Sequence, residues 1–114
     1  MFIIEPTSLF LSEIKTLKKK NPSIINDVDL LIQSLKQTPA AGTSLGNNCY
    51  KVRIQIRSKG KGKSGGARII TYVKLINEKV YLLSIYDKAE RDTITPKEMK
   101  EILKFSGLDR KSVV

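Results

Sequence analysis

The sequence predicts an α+β domain in which an N-terminal strand and a helical hairpin pack on a mostly antiparallel four-stranded sheet, followed by a short C-terminal helix. Three observations predict this class. Apolar residues recur at helical spacing before residue 36, they alternate with a period of two after residue 50, and residues 80–86 are almost entirely apolar. With 114 residues the chain has room for one domain, which we place at residues 1–114.

The first element is a short apolar strand at residues 2–4, which ends before Pro6. Thr7 or Ser8 can cap the helix that follows, because a hydroxyl oxygen accepts a hydrogen bond from an amide in the first turn. The inward face of this helix consists of Phe10, Ile14 and Leu17.

A second helix is predicted to start at Asn21, with Asn21 as its cap and Pro22 in its first turn. Its apolar face consists of Ile24, Val28, Leu31 and Leu35. Because the link between the two helices is short, we expect them to pack as an antiparallel hairpin. Residues 38–43 then form a loop.

The second half of the chain has strand periodicity. Val52, Ile54 and Ile56 alternate with Lys51, Arg53, Gln55 and Arg57, which predicts a strand with one apolar and one cationic face. A Gly/Lys/Ser loop at residues 58–66 leads to a second strand at residues 67–75, with Arg68, Ile70, Tyr72 and Lys74 on its outward side. One face of the sheet therefore has the helices to pack against, and the other carries the cations.

Residues 80–86 lack alternation, which indicates a central strand buried on both faces. Thr95 and Glu98 have the spacing of a capping box, with Pro96 in the first helical turn. The helix that follows is predicted to place Met99, Ile102 and Leu103 inward. We expect the tail from Ser106 onward to fray.

The positive charge of the chain is concentrated in one segment. The sequence holds 21 Lys and Arg against 11 Asp and Glu, a formal charge of +10. Between residues 51 and 74 there are eight cations and no acid, so the rest of the chain is nearly neutral. Such a segment attracts nucleic-acid phosphates, anionic membranes or an acidic protein, and function should be sought there.

Several classes of function are excluded by composition. The chain has no histidine, which excludes Cys/His zinc sites, His-dependent triads and nucleases built on paired imidazoles. The single Cys49 excludes an internal disulfide and fits a reducing cytoplasm. No leader pattern opens the chain and no apolar run is long enough to span a membrane, so we expect a cytoplasmic protein. We expect no metal ion and no cofactor.

Three readings of the cationic segment do not need a nuclease. Gly62-Lys63-Ser64 matches the end of a phosphate-binding loop, but Arg57 stands where the pattern needs glycine, and a strand follows instead of a helix. Double-stranded-RNA binding is disfavoured because the last helix begins with acids beside its bases. A cationic sheet face that holds RNA or an acidic partner without catalysis remains open.

Four segments form a recognisable series: Cys-Tyr-Lys-Val-Arg-Ile at 49–54, Gly-Lys-Ser-Gly-Gly-x-Arg-Ile-Ile-x-Tyr at 62–72, Leu-Leu-Ser-Ile-Tyr-x-Lys at 82–88 and Ile-Thr-x-x-Glu at 94–98. This series resembles the RelE/HigB family of toxins, most closely a HigB-like branch with a Lys-Ser-Gly-Gly-x-Arg loop. The resemblance implies the small microbial-ribonuclease-like fold. It also implies an endoribonuclease that cuts messenger RNA in the ribosomal A site and is held inactive by an antitoxin encoded beside it.

The resemblance also implies catalytic residues. RNA cleavage needs a base for the 2′-hydroxyl, positive charge for the phosphorane and an acid for the 5′-oxygen, and none of these requires a metal. Lys51 matches the family lysine and is the candidate base, because crowded cations lower one another's proton affinity, and Arg53 matches the next outward cation. Arg68 matches the arginine that stabilises the phosphorane. Lys88 matches the late basic residue and is the candidate acid or phosphate clamp.

Other residues are expected to contact RNA without reacting, namely Arg57, Lys61, Lys63, Tyr72, Lys74 and Tyr86. Some relatives place a base-stacking tyrosine where this chain has Ile94. Either Tyr72 or Tyr86 takes that part, or the base is less tightly oriented, and Tyr86 also fits a buried core position. A surface of charge +10 also predicts an acidic antitoxin segment that folds on binding.

Overall fold

The computed structural model describes residues 1–91 and 93–108. Its strands and helices follow the order β-α-α-β-β-β-β-α. Two short 3-10 helices, Arg57–Lys59 and Lys63–Gly65, lie in the Gly-rich loop. The strands are β1 (Ile3–Pro6), β2 (Thr43–Gly46), β3 (Cys49–Ile54), β4 (Ala67–Lys74) and β5 (Lys79–Asp87). The helices are α1 (Ser8–Lys18), α2 (Ile24–Leu35) and α3 (Pro96–Phe105).

The strands form one sheet in the order β1-β5-β4-β3-β2, in which β1 runs parallel to β5 and the other neighbours are antiparallel. The α+β class and the interior position of β5 are confirmed. The expected number of four strands is wrong, because β2 adds a fifth at the edge. All four residues of β2 are exposed, so its sequence has no apolar alternation by which it could be recognised.

Both helices of the hairpin pack on one face of the sheet. Thr7 caps α1, as predicted, and its hydroxyl accepts a hydrogen bond from the Phe10 amide at 3.2 Å. The cap predicted for α2 is wrong, since α2 begins at Ile24. Asn21 instead is buried at the end of α1, where its amide nitrogen donates to the Leu17 carbonyl at 3.0 Å. The buried faces of both helices match the predicted apolar positions.

The second face of the sheet is partly covered by α3. The capping box of Thr95 and Glu98 is present, and the apolar residues of α3 pack over a small cluster around Ile70, Leu83 and Ile94. The inward positions predicted for Met99, Ile102 and Leu103 are confirmed, and α3 shares with the cations the face that the sequence assigned to the cations. Fraying from Ser106 is wrong for residues 106–108, whose amides bond back to α3; residues 109–114 lie outside the described part.

The C-terminal half of β5, after Leu82, has no neighbouring strand on one side, because β1 pairs with β5 only as far as Leu82. Glu13 of α1 occupies this position. Its Oε1 atom accepts hydrogen bonds from the Ile85 amide at 3.0 Å and from the Ser84 hydroxyl at 2.8 Å. Burial raises the pKa of Glu13, and these bonds together with the charge of Arg91 partly offset that effect. No helix of the described residues is long and apolar enough to cross a membrane.

Candidate active site

A cleft of about 450 Å³ lies on the cationic side of the sheet, beside the Gly-rich loop. It is lined by Lys51, Arg53, Ser64, Arg68, Lys88 and Thr93. The lining thus consists of four cations and two hydroxyl side chains, without a carboxylate. All four residues that the sequence predicts to be catalytic meet here, although they come from β3, β4 and the segment after β5.

Strand register explains why these cations converge. Arg53 of β3 and Arg68 of β4 are direct cross-strand partners, so their Cβ atoms lie about 5 Å apart on one face. Lys51 precedes Arg53 by two residues and therefore shares that face. Arg68 is in turn the partner of Tyr86 on β5, two residues before Lys88. Like charges placed opposite each other on two strands repel and destabilise a sheet. A phosphate bound between the two guanidinium groups would relieve this repulsion and accept charge-assisted hydrogen bonds from both.

Arg68 differs from the sequence prediction in its surroundings. It was expected to point outward, and it does lie on the outward face, but only 4% of it is exposed. Its Nη1 atom donates to the carbonyl oxygens of Lys63 and Ala67 at 3.0 and 3.1 Å, and its Nη2 atom donates to that of Ser64 at 3.3 Å. The guanidinium therefore binds the Gly-rich loop while it lines the cleft.

The C-terminal end of the same loop is also fixed by glycine packing and by a backbone hydrogen bond. A Cβ atom on Gly66 would lie 2.0 Å from the Ile54 carbonyl oxygen, so only glycine lets the chain pass there. The Gly66 carbonyl accepts a hydrogen bond from the Lys88 amide at 3.0 Å. The loop and Lys88 are therefore held together, which brings both to the cleft.

An ion pair between Lys59 and Asp87 is a third attachment of the loop. The Nζ atom of Lys59 donates to both carboxylate oxygens of Asp87 at 2.7 Å. Burial opposes ionisation of Asp87, but the hydrogen bonds from Lys59 and the Ala89 amide and the charges of Lys59 and Lys20 outweigh it, so the pKa of Asp87 lies below its ordinary value. Asp87 therefore stays charged and keeps the loop attached.

The residues predicted to contact RNA are only partly brought to this place. Lys61 and Lys63 are exposed on the loop, where backbone phosphates could reach them. Arg57 lies towards α2, with its Nε atom 3.8 Å from the buried Asp27 carboxylate. Lys74 is not brought to the cleft, because it ends β4 opposite Lys79, six residues from Arg68, or about 20 Å along the strand; its contact with RNA stays a prediction.

The two candidate stacking tyrosines do not line the cleft either. The buried position of Tyr86 agrees with its core reading, and base stacking by either ring stays a prediction. Tyr86 is 6% exposed and the guanidinium of Arg91 lies 5.1 Å from its ring centroid, so its face is covered. Tyr72 stacks on Tyr81 at 6.2 Å between centroids and packs against the cluster under α3. Neither ring lines the cleft, because both rings belong to the apolar cluster on which α3 packs.

Comparison with known proteins identifies the family and the fold of the chain. The family model described as the RelE toxin of the RelE/RelB toxin–antitoxin system matches residues 14–111. The chain belongs to the RelE toxin family. A structure of the E. coli toxin RelE, a double arginine-to-alanine mutant in the free state, has the same fold with a TM-score of 0.59 at 13% identity, covering 91% of this chain and 96% of that one. The HigB-like branch stays a prediction.

The cleft of this RelE-family chain also contains residues that the sequence did not single out. Ser64 and Thr93 line it, and a lone hydroxyl in a loop gives no signal in a single sequence. Arg91 was missed as well: its Nε atom donates to the Thr93 carbonyl at 3.3 Å, and its Nη2 atom is bonded to Glu98. The hydrogen bonds from Thr95, followed by that from Arg91, lower the pKa of Glu98. The segment carrying Thr93 is thus tied to the first turn of α3.

Chemically, the site of this RelE-family toxin suits an anion. Four cations surround a hollow large enough for a phosphate group with its sugar, and two hydroxyls can donate or accept hydrogen bonds. Within residues 1–91 and 93–108, no three Cys, Asp or Glu side chains gather as metal ligands would. The arrangement can bind an RNA backbone and stabilise negative charge that develops on a phosphate.

Proposed function

We propose that this RelE-family toxin is a ribosome-dependent endoribonuclease that cuts messenger RNA by metal-independent attack of the 2′-hydroxyl. The observation that carries the proposal is the convergence of Lys51, Arg53, Arg68 and Lys88 on one cleft without a carboxylate in its lining. A site of this composition repels metal cations and attracts phosphodiesters.

The chemical step follows from what RNA supplies. The 2′-oxygen attacks the adjacent phosphorus while the side-chain amine of Lys51 accepts the hydroxyl proton. A P–O bond to the 2′-oxygen forms and the P–O bond to the 5′-oxygen breaks. Lys88 gives a proton to the departing oxygen, which leaves a 2′,3′-cyclic phosphate and a 5′-hydroxyl end. Atoms and charge balance without an external nucleophile.

Arg53 and Arg68 stabilise the phosphorane in this scheme, in different ways. Arg53 is exposed and free to turn towards a phosphate oxygen. Arg68 has five N–H groups, of which three donate to backbone carbonyls of the described residues, two in the loop and one at Ala67. The fixed guanidinium loses little conformational entropy on binding, which favours a transition state over a loosely held substrate.

A second candidate function is a non-catalytic module of the same fold that binds RNA or the ribosome. The hydrogen bonds of Arg68 favour it, because a guanidinium that holds a loop is partly withdrawn from a reacting phosphate. Under this reading the cations bind the RNA backbone and no bond breaks.

We propose that the partners are messenger RNA on the ribosome and an acidic antitoxin, and that the protein acts in the cytoplasm. The antitoxin partner is supported by the family, whose model describes the toxin of a toxin–antitoxin system. The acidic character is supported by the net charge of +10 and its concentration near the cleft.

The deciding experiment is primer extension on a defined message in a reconstituted translation system, with and without ribosomes. Lys51→Met is compared with Lys74→Met, since both residues are half-buried lysines of the central strands but only Lys51 lines the cleft. We expect Lys51→Met to lose at least 100-fold in cutting rate and Lys74→Met to remain within twofold of wild type.

The remaining outcomes each assign a different function. Cuts without ribosomes would make the protein a free ribonuclease. Ribosome or RNA binding without any cut would establish the binding module. Equal loss in both variants would show that bulk charge matters and that the cleft does not.

A further inference from the structure

The Gly-rich loop presents one serine hydroxyl to the catalytic cleft. Ser64 is exposed, and it lines the cleft together with the four cations Lys51, Arg53, Arg68 and Lys88. Among residues 1–91 and 93–108, the side-chain hydrogen bond that reaches Ser64 ends on its carbonyl oxygen and leaves its hydroxyl without a partner. The chemical step proposed above gives this hydroxyl no part, so an accessible nucleophilic oxygen lies unused among the cations.

The loop around Ser64 leaves that oxygen open to a modifying enzyme. Four of the seven residues at 60–66 are glycines, which carry no side chain that would cover the serine. Lys61 and Lys63 are exposed and stand three positions and one position before it. Exposed cations at such short spacing attract an enzyme whose substrate groove is acidic. The surroundings of Ser64 are therefore those of a substrate for an enzyme that selects basic sequences.

The other serine of the loop lacks this accessibility. The Oγ atom of Ser58 accepts a hydrogen bond from the Ser23 hydroxyl at 3.0 Å, and the Ser58 amide donates to the Ser23 Oγ atom at 2.9 Å. Ser58 is thus fastened to the start of α2, and it does not line the cleft. The two serines of one loop therefore differ in whether their hydroxyls are engaged and in what surrounds them.

A phosphate on Ser64 would lie among groups that bind phosphates. A phosphoserine carries a charge of about −1.5 to −2 at neutral pH and three strong acceptor oxygens. Arg68 donates three of its five N–H groups to carbonyls of the described residues, one of them that of Ser64 at 3.3 Å. Its remaining N–H groups lie beside the serine. Because the cleft lining contains no carboxylate, no charge in it repels the dianion.

We propose that Ser64 is a phosphorylation site and that its phosphate occupies the cleft in place of an RNA phosphate. The Ser64 oxygen attacks the γ-phosphorus of a nucleoside triphosphate held by a protein kinase. The Oγ–P bond forms, the bond from that phosphorus to the nucleoside diphosphate breaks, and the hydroxyl proton passes to a base of the kinase. Because the phosphate is attached to the chain, it is present in the cleft at high effective concentration and excludes RNA.

The resulting inhibition rests on the proposed function, whereas the modification and the binding of its phosphate do not. A phosphatase would reverse the modification, so the toxin could be stored in a silent form and released. The cations that bind the substrate would themselves hold the inhibiting group.

The modification is tested with the full-length chain, a serine/threonine protein kinase that prefers basic sequences, and ATP. Peptide mass spectrometry locates the phosphoryl group in wild type, Ser64→Ala and Ser58→Ala. We expect wild type and Ser58→Ala to be modified at position 64, and Ser64→Ala to take up at least tenfold less. Modification at Ser58 in place of Ser64 would overturn the proposal. So would the absence of the group from Ser64 both in this reaction and in protein isolated from its own cells.

Occupation of the cleft is tested with phosphoserine incorporated during translation in place of Ser64 or of Ser12. Ser12 is exposed on α1, and the helices pack on the other face of the sheet, so the two proteins have equal net charge and differ in where the phosphate lies. Fluorescence anisotropy measures the affinity for a short single-stranded RNA. We expect phosphoserine at 64 to weaken binding at least tenfold and phosphoserine at 12 to weaken it less than threefold.

Phosphorus NMR observes the phosphate itself. The second ionisation of a free phosphoserine has a pKa of about 6, and neighbouring cations favour the dianion. We expect the titration midpoint at position 64 to lie at least about half a pH unit below that at position 12. Equal midpoints, or equal RNA affinities of the two phosphoproteins, would show that the phosphate does not enter the cleft and would overturn the proposal.

Failure of the proposed function gives a different pattern. If the unmodified chain cuts no message, the nuclease is contradicted, while phosphoryl uptake, RNA affinity and the NMR midpoint still test the site at Ser64. If the chain cuts and continues to cut at an unchanged rate with phosphoserine in place of Ser64, the nuclease stands and the proposal made here is overturned.

Discussion

Lys59 and Asp87 form an ion pair that joins the start of the Gly-rich loop to the last residue of β5. Both side chains are largely buried, with 23% and 9% of their area exposed. The pair is therefore little screened by solvent and determines how the loop lies beside the cleft. Neither residue lines the cleft. Removing the ion pair therefore tests the effect of the loop position without changing the charge of the cleft lining.

Lys59→Met is expected to lower the free energy of unfolding by about 2–3 kcal/mol, because Asp87 then remains buried without its main partner. Urea denaturation at neutral pH measures this change. Lys15→Met, an exposed lysine of α1, serves as the control and should change stability by less than about 0.5 kcal/mol. A Lys59 variant as stable as that control would show that the pair contributes nothing.

The stabilisation by this pair should disappear in acid. The pKa of Asp87 is lower in the folded protein than its ordinary value of 3.8, so below that value the unfolded chain binds the proton more readily and stability is lost as pH falls. We expect wild type to be more stable than Asp87→Asn at pH 6, and the difference to shrink towards pH 3. Thermal unfolding at several pH values checks this, and a difference that stays constant with pH would contradict it.

Arg68→Lys keeps the charge but loses the planar fork that reaches two carbonyls of the loop. We expect it to cost about 2 kcal/mol of stability and to speed tryptic cleavage at Lys61 and Lys63, since the loop is released. Arg53→Lys, its exposed cross-strand partner, should leave cleavage at both lysines unchanged. Identical tryptic rates in the two variants would mean that Arg68 does not hold the loop.

Gly66→Ala and Gly62→Ala test the packing of the loop against β3. The added Cβ atom would collide with the Ile54 carbonyl at position 66, whereas at position 62 it meets open space and only the φ of +68 is unfavourable. We expect losses of about 3 kcal/mol and about 1 kcal/mol respectively. Denaturation midpoints measure both, and a larger loss at Gly62 would place the loop elsewhere.

Cys49 should react slowly with thiol reagents while the protein is folded. It is 1% exposed, and burial raises the pKa of its thiol to about 11, so very little thiolate is present at pH 8. Titration with a disulfide reagent should give a fast phase only in strong denaturant. Fast reaction in native buffer would show that the sheet face under α3 opens readily.

Much of the fold could be predicted because its signals are local. The spacing of Phe10, Ile14 and Leu17, the alternation around Val52 and the capping box at Thr95 each depend on a few neighbouring residues, and the structure confirms all three. β2 could not be predicted, because a short, fully exposed edge strand buries no side chain. Its sequence therefore lacks the alternation of apolar and polar residues that indicates a strand. The cap predicted at Asn21 was wrong because an asparagine between two helices can either cap the second helix or bond back to the end of the first. The sequence does not distinguish these two positions.

The sequence predicted which residues meet at the site. It did not predict how their side chains are arranged there. Alternation alone places Lys51, Arg53 and Arg68 on one face. It does not reveal that Arg68 turns back onto the carbonyls of Lys63 and Ser64, because that requires the path of a nine-residue loop at positions 58–66. The distance of Lys74 from the cleft likewise depends on strand length and register.

The carboxylate of Glu13 has a consequence for the protein at high concentration. By accepting from the Ile85 amide, it occupies a position that a strand of another molecule would otherwise use. The charged side chain also makes a close approach of foreign backbone unfavourable at this end of β5. Self-association through that edge, and the fibrillar aggregates that grow by it, are thereby blocked by one side chain from a neighbouring helix.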